Sequence, residues 1–160
     1  MGPPAAGKTW WGRRWAAELD LPFYDTDAEI ERRTGLSITQ WFAQGEGAFR
    51  AQEWQILKAL VQESAYGIYA VGGGFPAQPG AMDYLLSQGY CLWIDPPWPE
   101  LRQRLKAATD RPLLVGRSEE AWHTLIEARR PAYRRADLHW YTAQIPASQV
   151  LKWVWRVLVT

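Results

Sequence analysis

Residues 2–9 read GPPAAGKT, which satisfies the phosphate-binding-loop pattern G-x-x-x-x-G-K-[ST]. In that pattern backbone N–H groups surround nucleotide phosphates, the lysine contacts the β- and γ-phosphate oxygens, and the hydroxyl helps to hold Mg²⁺. Such a loop is normally the turn between a buried strand and a helix. Only Met1 precedes it here, so we expect the strand that usually carries the loop to be missing from the N-terminus. A proline-rich arm before an ordinary helix is the alternative interpretation.

Size and composition favour a single globular domain. The chain has 160 residues, of which 48% are hydrophobic and 22% charged, and its net charge is +1. A chain of this length can bury a substantial core, and we expect residues 1–160 to form one domain. The low net charge gives no electrostatic argument for a nucleic-acid or membrane partner. The single cysteine, Cys91, excludes an intrachain disulfide. With no apolar run near ~18 residues and no recognisable signal peptide, we expect a cytoplasmic protein. We also expect a monomer.

Short apolar runs alternate with amphipathic stretches along the chain. This alternation predicts an α/β fold with a parallel sheet. With the phosphate-binding-loop pattern, we expect the P-loop NTPase fold, with three α/β/α layers and a sheet flanked by helices. Thr26 with Glu29, and Ser37 with Gln40, have the spacing of a helix capping box. Strands are predicted at 21–25, 67–71, 90–95 and 137–142. Helices are predicted at 7–19, 26–34, 37–44, 47–64, 80–88, 97–107, 118–135 and 146–159. The segment at about 108–117 is predicted to be a lid loop.

Two acidic residues follow the first predicted strand. Asp25 and Asp27 belong to the tripeptide DTD, and carboxylates two residues apart at a strand end can face one cleft. One would then lie near a metal ion and the other near a substrate hydroxyl. The alternative is that the segment only caps the following helix.

Arg50 and Glu53 are three residues apart, so a helix would place them on one face. A carboxylate can hold a guanidinium for bidentate recognition of another carboxylate, whereas a solvated surface ion pair contributes little. Three consecutive glycines at 72–74 follow an apolar run. They would let a ligand approach the backbone at the carboxyl end of a strand. A flexible turn is the alternative.

Further arginines are candidates for phosphate contacts. Arginines on a closing segment suit phosphoryl transfer because they neutralise charge on the nucleotide. The candidates are Arg104, Arg111 in the predicted lid, and Arg129; ordinary surface positions are the alternative for each. His123 and His139 match no site pattern, and we expect surface or packing roles for both.

Together these elements resemble the shikimate kinase family. In order and spacing, the resemblance rests on G-x(4)-G-K-T, D-T-D, G-E-x(2)-F-R-x(2)-E, G-G-G, R-P-L-L and R-x-P-x-Y, from residue 2 to about residue 142. Gluconate and adenylate kinases share the phosphate-binding loop but not the full set. The resemblance implies transfer of the ATP γ-phosphate to the 3-hydroxyl of shikimate with Mg²⁺. Another small-metabolite kinase of the same fold, or a non-catalytic or truncated relative, remains the alternative.

The resemblance also implies roles for residues at the nucleotide end of the site. Lys8 and Arg111 would contact the ATP phosphates and assist catalysis, while Thr9 and Asp25 would organise Mg²⁺. Arg104 would lie near the nucleotide. The implied ATP-binding residues are Ala5, Ala6, Gly7, Lys8, Thr9, Trp10, Arg104 and Arg111.

At the acceptor end, the resemblance implies that Asp27 holds the substrate hydroxyl and acts as the general base. Arg50 and Arg129 would bind the shikimate carboxylate, and Gly73 would supply a backbone contact beside it. Glu53 would orient Arg50. These roles imply that ATP or ADP and shikimate are the ligands of the chain.

The chain also departs from the family pattern. Besides the missing first strand, Val71 stands where threonine is usual, and residues 143–146 lack the arginine common in the adenine-side loop. Residues 10–11 are both tryptophan where small residues are usual, which predicts crowding between the first helix and the sheet.

Overall fold

The structure, a computed structural model, describes residues 1–108 and 116–159. The predicted strands and helices all form, and their ends lie within two residues of the prediction; a short 3-10 helix, Phe75–Ala77, was not predicted. The predicted lid lies mostly outside the described residues. No helix in the described ranges is long and apolar enough to cross a membrane.

The strands are β1 (Phe23–Asp25), β2 (Ile68–Ala70), β3 (Leu92–Asp95) and β4 (Leu138–Tyr141). The α-helices are α1 (Lys8–Leu19), α2 (Thr26–Thr34), α3 (Ile38–Ala43), α4 (Glu46–Glu63), α5 (Ala81–Gln88), α6 (Trp98–Ala107), α7 (Glu119–Tyr133) and α8 (Ala147–Val159).

The strands form two parallel pairs between layers of helices. β1 pairs with β2, with Tyr24 opposite Tyr69, and β3 pairs with β4, with Trp93 opposite His139. Apolar side chains of α1 and α8 pack together with those of β3 and β4 in one cluster, and α4 and α5 share another with the residue that follows β2. The predicted three-layer α/β/α fold with parallel strands is therefore confirmed.

An open position separates β2 from β3 in the sheet. Met1 enters it at one end: its ammonium group donates to the carbonyl of Leu92 (2.6 Å), and its carbonyl accepts from the N–H of Ile94 (2.9 Å). This is the pattern of a parallel ladder, with Met1 opposite Trp93. The rest of the position is a largely apolar groove of about 450 Å³, lined on its two sides by residues such as Ile68 and Leu92. The central strand is thus missing from the described residues, as predicted.

Tryptophans fill the core under the β3–β4 pair. Trp11, Trp15 and Trp140 pack with ring centroids 4.9 to 5.5 Å apart. The predicted crowding of α1 is relieved at Gly12, where a Cβ atom would lie 2.4 Å from the ring of Phe23. The absence of a side chain at that position lets α1 approach the sheet closely enough to bury the large rings.

The caps of α2 and α3 fix the start of each helix. Ser37 and Gln40 form the predicted capping box, with hydrogen bonds of 3.1 Å and 2.8 Å. The prediction for Thr26 was wrong, because Asp25 is the N-cap of α2. The Thr26 hydroxyl is buried instead, and it donates to the carbonyl of Ala70 (3.3 Å) at the end of β2.

Candidate active site

The carboxyl ends of β1 and β2 open into a cleft of about 700 Å³ beside the start of α1. This is the position at which open α/β sheets bind their ligands. Ala6 and Arg104 lie next to the cleft but do not line it, and Arg111 lies outside the described residues. Ten of the predicted site residues line it: Ala5, Gly7, Lys8, Thr9, Trp10, Asp25, Asp27, Arg50, Gly73 and Arg129.

The phosphate-loop segment forms a tight turn into α1. Ala5 and Gly7 both have left-handed backbone conformations, with φ of 61° and 94°. The Lys8 ammonium lies along the loop and donates to the carbonyls of Gly2 (3.0 Å) and Pro3 (2.8 Å). Because α1 begins at this turn, its first N–H groups and its positive dipole end face the cleft, an arrangement that suits a bound phosphate.

Arg104 braces this turn from α6. Its Nη1 donates to the carbonyls of Ala5 (3.3 Å) and Ala6 (3.4 Å), and its other Nη pairs with Glu100. Ala6 is buried in the core. Both residues therefore support the backbone of the loop, and neither presents its side chain to the cleft.

Thr9 and Asp25 meet at the base of the cleft. The Thr9 hydroxyl donates to Asp25 Oδ2 (2.5 Å), while Asp25 Oδ1 accepts from the backbone N–H groups of Asp27 (3.1 Å) and Ala28 (3.3 Å). Asp25 thus caps α2 and also binds Thr9, and its role as a metal ligand stays a prediction.

The oxygens of Thr9 and Asp25 are the hard ligands that Mg²⁺ prefers. No cluster of three or more histidine, cysteine or acidic side chains suited to a metal ion occurs within residues 1–108 and 116–159. A site with one hydroxyl and one carboxylate fits the usual mode of Mg²⁺ binding in kinases, in which nucleotide phosphates and water supply the other ligands.

Arg50 is held inside the cleft wall rather than at the surface. Its Nη1 donates to Glu53 Oε2 (2.6 Å), and its Nη2 donates to Glu46 Oε1 (2.9 Å). The side chain of Glu53 is 2% exposed and that of Arg50 is 16% exposed. Gln78 also donates to Glu53 Oε2 (2.9 Å). The alternative of a solvated surface pair is therefore wrong.

Burial raises the pKa of Glu53 to about 7, and the nearby carboxylate of Asp27 adds to the effect. Arg50 and Gln78 oppose this rise, because both stabilise the ionised carboxylate. Burial also works against the charge of Arg50, but its contacts with Glu53 and Glu46 outweigh that cost and raise its pKa. The guanidinium therefore stays charged, whereas the carboxyl of Glu53 titrates near neutrality.

Glu53 predicts a pH effect on stability. Its folded-state pKa of about 7 lies above the ordinary value of 4.5, so the folded chain binds this proton more tightly than the unfolded chain does. The stabilisation is complete below the ordinary value and is lost as pH rises through about 7, with a limit of about 3 kcal/mol. We expect Glu53→Gln to remove this dependence, as measured by urea unfolding between about pH 4 and pH 8. An exposed-site control, Glu18→Gln, should retain it, and identical pH profiles for the two variants would contradict the prediction.

The glycine triplet permits close side-chain approach to the end of β2. A Cβ atom on Gly72 would lie 2.5 Å from Glu53 Oε1, and one on Gly74 would lie 2.5 Å from an Nη atom of Arg50. The Gly72 N–H also donates to the buried Thr26 hydroxyl (3.1 Å). This segment is thus packed against the Arg50–Glu53 pair, which favours the ligand-approach interpretation over a flexible turn.

Arg129 enters the cleft from α7 and is 7% exposed. Burial lowers its pKa, a contact with Tyr133 acts in the opposite direction, and the nearby charge of Arg50 lowers it further. Tyr133, one turn later on the helix, donates to the carbonyl of Gly73 (2.5 Å). No carboxylate in the described part of the chain forms an ion pair with Arg129. A buried arginine beside a second arginine favours an anionic ligand.

Sequence reasoning missed part of the cleft wall. Ile38 and Phe42 of α3 line it, and Phe42 packs on Phe49 with ring centroids 4.4 Å apart. The Arg50 guanidinium lies over both phenylalanine rings, at 5.7 and 5.3 Å. Phe49 was available as a signal, because it precedes Arg50 in the F-R motif. Gln78 had no signal, because it lies in a loop and approaches Glu53 only in the folded chain.

Comparisons with known proteins agree with this geometry. The family model for shikimate kinase matches residues 4–158. Shikimate kinase of Aquifex aeolicus is 35% identical over 153 residues, covering 95% of this chain and 89% of that protein. Shikimate kinase of Rhodococcus jostii is 39% identical, covering 84% of this chain and 80% of that protein.

Solved structures give the same result. The structure of Acinetobacter baumannii shikimate kinase in complex with shikimate superposes with a TM-score of 0.85 at 32% identity, covering 99% of this chain and 89% of that one. The Aquifex aeolicus enzyme superposes with a TM-score of 0.81 at 34% identity, covering 99% of this chain and 93% of that one. The chain therefore belongs to the shikimate kinase family of ATP-dependent kinases.

Proposed function

We propose that this chain transfers the γ-phosphoryl group of ATP to the 3-hydroxyl of shikimate, giving ADP and shikimate 3-phosphate. The observation that carries the proposal is the composition of a single cleft. A phosphate-binding turn at the start of α1, the buried Arg129 and the partly buried Arg50 line the same space of about 700 Å³. Such a cleft can hold a polyphosphate at one end and a small carboxylate-bearing acceptor at the other.

The nucleotide end is assigned to the turn and its surroundings. The backbone from Ala5 to Trp10 and the Lys8 ammonium would bind the phosphates, with Arg104 holding the turn in shape through its carbonyls. Thr9 and Asp25 would hold Mg²⁺, which neutralises charge on the transferred group when it is bound. Arg111 is assigned to a lid at about 108–117 within one kinase domain of residues 1–160.

The acceptor end is assigned to Asp27, Arg50, Arg129 and Gly73. Two guanidinium groups from different helices would fix the shikimate carboxylate, and Glu53 holds one of them in place. Phosphoryl transfer depends on positioning and charge neutralisation more than on covalent chemistry. Asp27 at the start of α2 would accept the hydroxyl proton as the bond to phosphorus forms.

The monomeric state and a cytoplasmic location stay predictions.

A coupled ADP-release assay with shikimate as the only acceptor tests the proposed reaction. We expect turnover well above the background with ATP alone, and phosphorus NMR should place the phosphate on the 3-hydroxyl. A folded, nucleotide-binding chain with no turnover above background would contradict the proposal and favour a non-catalytic relative. Preference for a polyol without a carboxylate would favour another small-metabolite kinase.

Arg129→Ala tests the acceptor assignment separately. We expect the shikimate KM to rise about 30-fold or more, because truncating one partner of a buried charged pair costs at least about 2 kcal/mol. The ATP KM should stay nearly unchanged. Arg134→Ala, at the exposed end of the same helix, is the matched control and should leave both constants unaltered. An unchanged shikimate KM in Arg129→Ala would show that this guanidinium does not contact the acceptor.

A further inference from the structure

We propose that Arg130 is a positioning residue that holds Arg129 in its substrate-binding direction. The inference rests on the proposed function, in which Arg129 binds the acceptor carboxylate. Arg130 itself lies outside the lining of the cleft, and its side chain is fixed instead to the sheet.

The anchor for Arg130 is Asp95, the last residue of β3. Both terminal nitrogens of Arg130 donate to this carboxylate, Nη1 to Oδ1 (3.1 Å) and Nη2 to Oδ2 (2.9 Å). The Asp95 side chain is 4% exposed. A bidentate guanidinium–carboxylate pair sets both the position and the plane of the arginine, and a buried strand end is a rigid support for it.

Two aromatic contacts hold this pair further. The Arg130 guanidinium lies 4.8 Å from the ring centroid of the buried Trp93. His139 of β4 stacks on the same indole (4.0 Å, 7° between planes), and its Nε2 lies 2.8 Å from Asp95 Oδ2. Arg130 is therefore fixed by a carboxylate and by a ring, and both belong to the β3–β4 pair.

Pro131 weakens α7 directly after Arg130, so this part of the helix depends on contacts with other elements. It lies inside the helix, directly after the two arginines. Proline has no N–H to donate to the carbonyl of Glu127 and its ring crowds that turn, so the helix is intrinsically weak there. External contacts hold α7 on each side of the weak point: Arg130 to Asp95 before it, and Tyr133 to the carbonyl of Gly73 after it. Arg129 directly precedes the segment that these two contacts hold, so its direction follows that of Arg130.

Arg130→Gln removes the bidentate pair without touching the cleft. We expect the shikimate KM to rise about tenfold, because a displacement of about 1 Å in a substrate-positioning group has effects of this order or larger. The ATP KM should change less than about twofold, since the nucleotide end is built on α1. Arg130→Lys should give an intermediate KM, because an ammonium group cannot form the bidentate contact.

The matched control is Arg135→Gln, which removes an exposed ion pair with Asp83 just after α7. It should leave both KM values unchanged. A lower melting temperature of Arg130→Gln with an unchanged shikimate KM would overturn the proposal, because the pair would then only attach the helix to the sheet. An equal rise in both KM values would overturn it as well. Should Arg130→Gln not fold, Arg130→Lys carries the same comparison.

A double variant shows whether Arg130 acts through Arg129. If it does, adding Arg130→Gln to Arg129→Ala should raise the shikimate KM no further than Arg129→Ala alone. Multiplying effects would overturn the proposal. The substrate role of Arg129 and the positioning role of Arg130 are tested separately. An unaffected shikimate KM in Arg129→Ala overturns both roles together. A raised KM in Arg129→Ala with none in Arg130→Gln overturns only this inference.

Discussion

Replacing Asp27 by asparagine is expected to lower kcat by about 10²- to 10⁴-fold while ATP affinity stays nearly unchanged. Asparagine keeps the size of the side chain but cannot accept the proton of the acceptor hydroxyl. Asp27 lies in the first turn of α2, where its backbone N–H is bound to Asp25. The substitution should therefore leave the Thr9–Asp25 contact in place. Steady-state kinetics with both substrates, together with direct titration of ATP, measure the effect.

The pH dependence of stability due to Glu53 provides a second measurement on Asp27→Asn. Because the Asp27 carboxylate contributes to the raised pKa of Glu53, removing that charge should lower the Glu53 pKa and shift its stability profile to lower pH. Asp83→Asn, an exposed acidic residue of α5, is the matched control for kinetics and for pH dependence. A loss of ATP affinity as large as the loss of kcat would place Asp27 against the nucleotide. An unchanged kcat would exclude it as the base.

The second large effect is expected on stability. A variant carrying four or five additional apolar residues before Met1 should melt about 5–10 °C higher. We expect a few kcal/mol of net stabilisation, and each kcal/mol raises the melting temperature by about 2–4 °C in a chain of this size. Met1 lies opposite Trp93, so each added residue would step back along β3 towards Tyr90. The same residues would pair with the free edge of β2 and fill the groove of about 450 Å³.

The N-terminal amine explains part of this gain. Burial lowers the pKa of the Met1 amine from 8.0 to about 5. The unfolded chain therefore binds this proton more tightly, and the contribution of the amine to stability rises with pH between those two values. Converting the amine to a peptide bond removes both the cost of deprotonating it on folding and this pH dependence. Apolar side chains added beside it contribute about 1.5–3 kcal/mol each before the cost of ordering the backbone.

An extension of equal length made of glycine, serine and asparagine is the control for the groove. It also converts the amine to an amide but supplies no apolar side chains, so its melting temperature should rise far less. Equal shifts for the two extensions would assign the whole effect to the buried N-terminal amine. No shift for the apolar extension would contradict the pairing register. Differential scanning calorimetry at about pH 7 measures both variants.

Local patterns predicted the secondary structure closely. Each strand and α-helix lies within two residues of its predicted bounds, because apolar periodicity, turn residues and caps act over a few residues of sequence. The N-cap of α2 is the exception, because the capping box was predicted to begin at Thr26 and the helix is capped by Asp25. Asp25 was considered as a metal ligand and as a cap, and it performs the cap with one oxygen while the other binds Thr9. Sequence spacing cannot show that different oxygens of one carboxylate make two contacts at once.

The motif residues of the cleft could be predicted from the sequence, whereas the contacts that hold them in place could not. Lys8, Asp27, Arg50 and Arg129 were identified by family resemblance, and the fold brings all of them to one cleft. Arg104 was expected near the nucleotide, but it holds the loop backbone. Contacts of this kind join residues far apart in sequence, and only packing determines which of many surface arginines reaches a given carbonyl.

The sequence by itself determined the family, the order of strands and helices and ten of the residues that line the cleft, because these depend on local patterns and on motif order. Tertiary structure alone decided that Glu53 is buried and titrates near pH 7. It also decided that Arg130 is tied to Asp95 and that β2 and β3 face each other across an apolar groove. Burial, long-range pairing and the shape of a gap arise from how distant segments pack, and no local pattern encodes them.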